Sequence, residues 1–303
     1  MRMICNENTK RRLDSYLSEI RSDMSRSHIS KMIKAGEITV NGNKVKPGYE
    51  LSSGDEINIV ETELKETEVA PEDIALDIVY EDNDVIVINK PKNMVVHPAC
   101  GHESGTVVNA LLSHCKDSLS GINGELRPGI VHRIDKDTTG LIVACKNDKA
   151  HISLAEQLAE HSITRRYVAL VHGNIKEDEG TVDIAVGRSD KDRKKMAAGA
   201  KNGRRAVTHF KVLERYGDYT FIECRLETGR THQIRVHMAY IKHPLAGDEV
   251  YGVKKDRLSG NGQYLHARVL GFVHPETGKY MEFEAPLPEY FKETLDKLRK
   301  QNL

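Results

Sequence analysis

The sequence predicts an α+β protein: a larger part with a mixed, mostly antiparallel sheet and flanking helices and loops, preceded by a small N-terminal α/β unit. Segments with strand character outnumber those with helix character and do not alternate with them regularly, which disfavours a doubly wound sheet. The 303 residues leave room for one large domain or two unequal ones. An acidic stretch containing one proline, ETELKETEVAPED at residues 61–73, predicts a linker. We therefore place the domains at residues 1–70, with the linker, and 71–303.

The N-terminal unit is predicted to hold two helices and a small sheet. Apolar residues recur at helical spacing in RRLDSYLSEI, namely Leu13, Tyr16, Leu17 and Ile20. A second helix follows in SRSHISKMIKAG, with Ser25 or Ser27 as its cap. Asn41-Gly42 then predicts a tight hairpin, and LSSGDEINIV predicts a further strand.

The larger part mixes both kinds of element. Two segments are predicted to be helices, TVVNALLSHC and KAHISLAEQLAEHS. The predicted strands are DVIVIN, RRYVALVHG, AVTHFKVLERY, YTFIECRLE and KYMEFEAP.

Charge is unevenly distributed although the formal net charge is zero. Residues 1–49 carry ten Lys and Arg against five Asp and Glu, residues 50–84 one against thirteen, and residues 186–205 eight against two. Local basic patches of this kind suit binding of an anion at chosen places. In the N-terminal unit, clustered cations favour phosphate contacts over an ordinary solvated face. They are Arg26, Lys31, Lys34, Lys44 and Lys46.

Cysteine usage and hydropathy predict the compartment. The five cysteines form no C-x-x-C pair, which argues against a disulfide framework or a zinc site and for a reducing cytoplasm. The N-terminal residues lack an apolar signal core, and no stretch approaches 18 apolar residues, so we expect no membrane span.

Several catalytic signatures are missing from the sequence. It contains no P-loop, no G-x-G-x-x-G after a strand, no G-x-S-x-G and no H-E-x-x-H. His232 and His237 are five residues apart, which places them about 140° apart on a helix and on opposite faces of a strand. Neither geometry suits chelation, so we expect no metal site there.

The segment GIVHRIDKDTTGLIVACKND, residues 129–148, carries the candidate chemistry. Arg133 and Asp135 are two residues apart, so their side chains point the same way in an extended run. Gly129 and Gly140 permit tight turns on either side. Taken alone, the segment is equally compatible with a surface Arg–Asp pair worth up to about 1 kcal/mol.

The same segment resembles the H-R-L-D-x-x-T-S-G-L-L signature of pseudouridine synthases of the RluA type. The resemblance extends over most of residues 75–290 in five ordered blocks. The blocks are NKPKNMVVHP, HRIDKDTTGLIV, RRYVALVHG, LETGRTHQIRVHMAYIKHPLAGDEVYG and LHARVLGFVHP. Departures are small: Asn93 replaces a common glycine, and Ile134 and Thr139 replace Leu and Ser.

The N-terminal unit also resembles a known module, the small RNA-binding domain of the ribosomal protein S-four type. RRLDSYL, SRSHISKMIKAGEITVNGNKVK and GDEI carry the likeness. This module accompanies the branch of the family that acts on large-subunit ribosomal RNA.

The resemblance implies isomerisation of uridine to pseudouridine in structured RNA, with 23S ribosomal RNA as the expected substrate and no cofactor. It implies that Asp135 is the essential carboxylate and that Arg235 is its partner, with Arg230 as a second candidate. It implies that the Tyr167 ring stacks on the uracil. The base must leave its helix to react, and Arg133 would fill the vacated space.

Other interpretations stay open from sequence alone. His132 would contact the RNA backbone or simply pack, Tyr167 would be a core strand residue, and both Arg230 and Arg235 would form a phosphate-binding surface. Transfer RNA is a rival substrate. A non-catalytic ribosome-assembly factor, or a hydrolase using Asp137 as a second carboxylate, are rival functions. We expect a cytoplasmic monomer whose partner is RNA, free or in a pre-ribosomal particle, and not a membrane.

Overall fold

The computed structural model describes residues 2–5, 11–21, 26–60, 69–99, 101–116, 118–122, 124, 127–190, 192 and 195–301, without the side chains of residues 27, 28 and 31. The predicted caps Ser25 and Ser27 and the predicted phosphate contact Lys31 therefore lie outside the described side chains. Most of the predicted linker, residues 61–68, also lies outside the described residues.

The chain divides into two compact units, Met1–Glu66 and Thr67–Leu303. The elements of the first unit are β1 (Arg2–Ile4), α1 (Leu13–Ile20), α2 (Arg26–Ala35), β2 (Ile38–Val40), β3 (Asn43–Lys44) and β4 (Glu56–Ile59). Its strands form one antiparallel sheet in the order β1–β4–β2–β3. Leu13 and Leu17 are buried as their spacing predicts, whereas Ile20 is exposed because it lies at the end of α1.

Residues 69–73, predicted as the end of the linker, lie against the larger unit. Val69 packs against its hydrophobic core. The Asn109 side chain donates a hydrogen bond to the Ala70 carbonyl at 2.7 Å, and the Glu72 amide donates to the Asn109 carbonyl at 3.0 Å. The limit at residue 70 stays a prediction.

The second unit is a mixed sheet with helices on both faces. Its elements are β5 (Ile78–Glu81), β6 (Val85–Lys90), α3 (Val107–Cys115), β7 (Thr139–Cys145), α4 (Asp148–Ala159), β8 (Thr164–His172), β9 (Glu179–Asp183), β10 (Val186–Arg188), β11 (Met196–Ala198), β12 (Val207–Arg215), β13 (Tyr219–Leu226), α5 (Gln233–Tyr240), β14 (Leu265–Val273), β15 (Tyr280–Glu284) and α6 (Glu289–Gln301).

The main sheet has nine strands in the order β5–β6–β7–β14–β8–β13–β12–β9, with β15 paired to β14. Its described strand pairs are antiparallel except for β7 and β14, which run parallel. The predicted mixed, mostly antiparallel α+β fold is thus confirmed. Strands β10 and β11 form a separate hairpin.

Strand β7 is buried along its whole length. Ile142 and Ala144 join a core that includes α3 and α5, whereas Leu141 and Val143 join a core that includes α4. A strand covered on both faces has no solvated side, which explains why its sequence is an unbroken apolar run rather than an alternation.

Glycine is required where β7 meets β14. Gly140 has φ +107°, and a Cβ there would lie 2.2 Å from the Ala267 carbonyl oxygen. Gly129, at the start of the same segment, has φ +70°, and its Cβ would lie 2.6 Å from the Cys145 carbonyl oxygen. The two glycines therefore fix the loop between them against the central strands.

Cysteines and helix lengths complete the description. Cys5, Cys115, Cys145 and Cys224 are free and buried; Cys100 lies outside the described residues. Within the ranges given above, no helix is long and apolar enough to cross a bilayer.

Candidate active site

Asp135 lies in the loop that leads into β7, and a buried lysine holds that loop. Lys90, at the end of β6, is fully buried, and its Nζ donates to the carbonyls of Pro91 at 2.7 Å, Met94 at 2.9 Å and Lys136 at 3.0 Å. Three acceptors match the three N–H groups of an ammonium. Burial nevertheless lowers the pKa of Lys90 to about 7. The contact to Lys136 fixes the backbone directly after Asp135.

The Asp135 carboxylate is paired with a guanidinium. Nη1 of Arg235, on α5, lies 2.9 Å from Asp135 Oδ2. The Arg235 side chain is 7% exposed and that of Asp135 17%, so the pair is largely shielded from water. A charge-assisted hydrogen bond in such surroundings is stronger than on an open surface and orients the carboxylate.

Arg235 is itself fixed from the other side by Asp248. Arg235 donates from Nε to Asp248 Oδ2 at 2.7 Å and from Nη2 to Oδ1 at 2.9 Å. The amides of Val250 and Tyr251 also donate to Asp248 Oδ1. Burial alone would raise the pKa of Asp248, but these hydrogen bonds and the Arg235 charge lower it. Two carboxylates and burial therefore hold Arg235 in one orientation.

His232 and Tyr251 enclose the other side of this ion pair. The Arg235 guanidinium lies 5.1 Å from the centroid of the Tyr251 ring. His232 Nδ1 and the Tyr251 hydroxyl are 2.9 Å apart, and His232 Nε2 lies 3.8 Å from Asp135 Oδ1. Burial lowers the pKa of His232, although the Asp135 charge acts in the opposite direction.

The basic segment 186–205 reaches this site through β11. The Met196 amide donates to the Tyr251 hydroxyl at 2.8 Å, and Lys195 Nζ donates to the Val250 carbonyl at 3.2 Å. Residues 191, 193 and 194 of the segment lie outside the described residues.

Tyr167 lies on β8, facing the same cavity as Asp135. It is 8% exposed, and its hydroxyl has no hydrogen-bond partner within the described part of the chain. Burial raises the pKa of Tyr167, with Arg165 opposing this shift and Asp135 adding to it. A neutral phenol is therefore the form at physiological pH.

The cavity around Asp135 has a volume of about 50 Å³. The residues predicted to act on the substrate meet in its wall, namely Arg133, Asp135, Tyr167, Arg230 and Arg235. The cavity is open to solvent, so a ligand larger than this volume can extend beyond its wall.

Arg133 and His132 point to different surroundings. Arg133 is exposed, and its Nη1 donates to Nε2 of the buried His97 at 3.1 Å. His132 Nε2 accepts a hydrogen bond from the Val143 amide at 3.1 Å. Burial lowers the pKa of His132 to about 3. His132 therefore supports β7 as a neutral ring, and its contact with RNA stays a prediction.

Arg230, the second candidate partner of Asp135, is directed elsewhere. Its Nε donates to the Arg205 carbonyl at 3.1 Å, and its amide donates to Gln233 Oε1 at 2.9 Å. The structure thus brings Arg235, rather than Arg230, into hydrogen-bond contact with Asp135.

The predicted phosphate contacts of the N-terminal unit form a separate group. Lys34 and Lys44 are exposed, and Lys44 Nζ donates to the Ala35 carbonyl at 3.3 Å. Arg26 is exposed, and its guanidinium lies 3.3 Å from the buried Asp14 carboxylate. All three leave charge accessible to solvent.

Two side-chain groups in the described ranges have a spacing that would suit a metal ion. They are Glu81, His114 and Cys115, and Asp82, Asp84 and His274. Neither group includes Asp135, His232 or His237.

Sequence reasoning missed two residues of the site. Asp248 lies in the quoted block LETGRTHQIRVHMAYIKHPLAGDEVYG. A buried arginine needs a second acceptor, and this need could have pointed to Asp248. Lys90 lies in the quoted block NKPKNMVVHP, where it is given no role. Its signal was a cation directly after a run of apolar strand residues, a place where lysine is rarely left without partners.

Two known protein families and several curated relatives match this chain. The family described as RNA pseudouridylate synthase matches residues 84–240, and the S4 domain matches residues 11–57. The chain is 54% identical over 294 residues to the uncharacterized RNA pseudouridine synthase YlyB of Bacillus subtilis, covering 97% of this chain and 96% of that one. It is 46% identical to ribosomal large subunit pseudouridine synthase D of Zymomonas mobilis, covering 92% and 90%.

A solved structure shares the architecture of the larger unit. Human RNA Pseudouridylate Synthase Domain Containing 1 matches with a TM-score of 0.58 at 25% identity. The match covers 78% of this chain and 98% of that one.

Proposed function

The chain belongs to the RNA pseudouridylate synthase family, and on that premise we propose that it converts specific uridines of large-subunit ribosomal RNA to pseudouridine with Asp135 as the reacting carboxylate. The observation that carries this assignment is the ion pair of Asp135 and Arg235 in the wall of a cavity also lined by Tyr167.

The isomerisation breaks the bond between ribose C1′ and uracil N1 and joins C1′ to C5. Either C1′ or uracil C6 is a possible point of attack for the Asp135 carboxylate, and a ribose-derived intermediate formed with its help is the third route. All routes require a carboxylate that is charged and oriented before the substrate arrives. The 2.9 Å contact with Arg235 fixes the direction of the Asp135 carboxylate.

The last step removes the proton from C5. Tyr167 supports this step because it lines the cavity that holds Asp135. A ring in this position can stack on the uracil, and a hydroxyl without a hydrogen-bond partner among the described residues is available to relay the proton.

The target base must be extruded from its stem before it reaches Asp135, at an expense of a few kcal/mol. The extruded base would enter the cavity whose wall contains Asp135. Arg133 is the exposed part of that wall, held by one hydrogen bond to His97. Movement of the Arg133 side chain into the space that the extruded base leaves in the RNA would also open the cavity.

Large-subunit ribosomal RNA is favoured over transfer RNA by two observations. The chain carries an S4 domain, and relatives at 44–46% identity are ribosomal large subunit pseudouridine synthases D. The exposed cations Arg26, Lys34 and Lys44 give that domain charge for binding phosphates of a large folded RNA.

A hydrolytic function has less support from the geometry. Asp248 is the second carboxylate bound to Arg235, and its side chain is fully buried. It is therefore placed to orient Arg235 rather than to activate water.

The test is a pseudouridine map of ribosomal and transfer RNA from a strain that lacks the gene, complemented with the unchanged protein, with Asp135→Asn or with Asp137→Asn. We expect the unchanged protein and Asp137→Asn to restore the missing pseudouridines in large-subunit RNA, and Asp135→Asn to restore none. Asp137→Asn is the matched control, because it removes a charge two residues away.

Two results would contradict the assignment. Restoration by Asp135→Asn would show that this carboxylate is not essential. Loss of pseudouridine from transfer RNA alone would replace the ribosomal substrate with the transfer RNA substrate.

A further inference from the structure

Arg165, on β8 two residues before Tyr167, is a buried cation without an anionic partner in the described structure. It is 7% exposed, and its Nε is buried without a hydrogen-bond partner. Within the described residues, its side chain donates one long hydrogen bond, from Nη2 to the Glu227 carbonyl at 3.3 Å. An arginine keeps its charge even when burial lowers its pKa, as it does here. A buried and unpaired charge destabilises a protein, so its presence needs a reason.

Arg165 lines a second cavity, of about 470 Å³, next to the cavity of Asp135. The two cavities share four wall residues, namely Arg133, Tyr167, Leu226 and Arg230. No carboxylate lines the larger one among the described residues, whereas three guanidinium groups do. Arg133 and Arg230 form their reported hydrogen bonds with a neutral histidine and a carbonyl, so neither has its charge compensated by a described residue. The cavity is therefore a concave positive site large enough for part of a nucleotide.

We propose that Arg165 forms a subsite for one backbone phosphodiester of the RNA strand, beside the uridine that enters the Asp135 cavity. The subsite rests on the proposed function, since it presumes an RNA substrate. A nucleotide whose base contacts Asp135 and Tyr167 carries its own phosphates close to that base. The larger cavity adjoins the cavity of Asp135, since Tyr167 and Arg133 line both. A planar guanidinium matches phosphate oxygens better than any other side chain does.

The first test measures RNA binding as a function of salt. The probe is an RNA stem-loop that carries one uridine identified by the pseudouridine map, and all proteins carry Asp135→Asn so that no turnover alters the probe. Arg165→Gln is compared with Arg166→Gln, its neighbour on the opposite face of β8, which pairs with Glu282 at 2.9 Å. We expect Arg165→Gln to reduce the slope of log Kd against log salt by about 0.7–0.9, the value for one phosphate contact, and Arg166→Gln to leave it unchanged.

The second test neutralises the RNA instead of the protein. Methylphosphonates replace the linkages around the target uridine one at a time. We expect one linkage whose replacement weakens binding to the protein with Arg165 and has no further effect on Arg165→Gln. Arg165→Lys, which keeps the charge and loses the planar fork, should retain the salt slope at a weaker affinity. If Arg165→Gln fails to fold, Arg165→Met takes its place; it also removes the charge and should likewise be insensitive to that linkage.

The outcomes separate this subsite from the proposed function. The subsite would be overturned if Arg165→Gln left the salt slope unchanged and its effect on binding added to that of methylphosphonate at every linkage. Contact of Arg165 with a base edge would give this result. The enzyme assignment would still stand. A deletion strain that keeps every pseudouridine in its large-subunit RNA would overturn the proposed function itself, whatever the protein's affinity for the stem-loop.

Discussion

Arg235 and Asp248 meet edge to edge through two hydrogen bonds, of 2.7 and 2.9 Å. This arrangement leaves Nη1 of Arg235 for the Asp135 carboxylate. Asp248 is absent from the wall of the small cavity, so it acts on the site through the residues that it holds, chiefly Arg235. It is a positioning residue.

Asp248→Asn should lower the rate of the chemical step without weakening RNA binding. An amide offers one acceptor in place of two, so Arg235 loses a hydrogen bond and its fixed direction. Misplacement of a catalytic partner by about 1 Å is worth up to about 100-fold, and we expect a 10- to 100-fold fall in kcat with little change in KM. Single-turnover measurements on 23S ribosomal RNA check this. Asp178→Asn, at an exposed carboxylate, is the control. An unchanged kcat would remove Asp248 from the mechanism.

The same ion pair predicts a dependence of stability on acid. The pKa of Asp248 is lowered from its usual 3.8 in the folded protein, so the unfolded chain takes up its proton first as the pH falls. The stabilisation is therefore complete above about pH 4 and is lost as the pH drops through the folded pKa. Urea unfolding at a series of pH values should show Asp248→Asn converging on the unchanged protein in that acidic range. A difference that stays constant with pH would show that the Asp248 charge contributes nothing.

Gly140→Ala should severely destabilise the larger unit. The added Cβ would lie 2.2 Å from the Ala267 carbonyl oxygen, and its φ of +107° is unfavourable for alanine. Overpacking and backbone strain each contribute about 1–3 kcal/mol, so we expect a loss of about 2–6 kcal/mol in the free energy of unfolding. Gly278→Ala is the matched control: it has φ +66° and nothing within 4 Å of its Cβ, and we expect a loss of about 1 kcal/mol. Equal losses from both substitutions would show that β7 and β14 separate easily.

The exposed lysines of the N-terminal unit should contribute to RNA affinity through charge alone. We expect the double substitution Lys34→Gln and Lys44→Gln to reduce the salt slope of RNA binding by about 1.4–1.8, the value for two phosphate contacts. Turnover of bound RNA should be unchanged. The double substitution Lys149→Gln and Lys292→Gln, at exposed lysines of the larger unit that pair with Glu276 and Glu289, serves as the comparison. A smaller kcat with an unchanged salt slope would contradict this role.

The sequence was informative for several local elements, although α5 and α6 were not predicted. The hairpin at Asn41-Gly42 and the helices α1 and α3 follow from spacing and turn residues within a few positions of one another. The continuous apolar run of β7 is typical of a strand with no solvated face. The family motifs then identified Arg133, Asp135 and Tyr167, and the cavity wall contains all three.

The sequence was silent where partners come from distant parts of the chain. The acceptors of Lys90 include the carbonyl of Lys136, 46 residues later, so burial of its amine was not visible in the pattern. The resemblance favoured Arg235 over Arg230 as the partner of Asp135, but it did not identify Asp248, whose contact with Arg235 depends on the turn after α5. Arg165 was read as part of a strand, because a missing partner is a property of three-dimensional packing.

The parallel pairing of β7 and β14 has a consequence for synthesis of the chain. Thr139 Oγ1 and His266 Nδ1 lie 2.8 Å apart although 127 positions separate them. When the ribosome has translated residue 235, Asp135, Tyr167 and Arg235 have all been made. Strand β14, which lies against Gly140, has not yet been made. A product that terminates before β14 would therefore contain all of these side chains but lack the strand that joins β7, next to Asp135, to β8, which carries Tyr167.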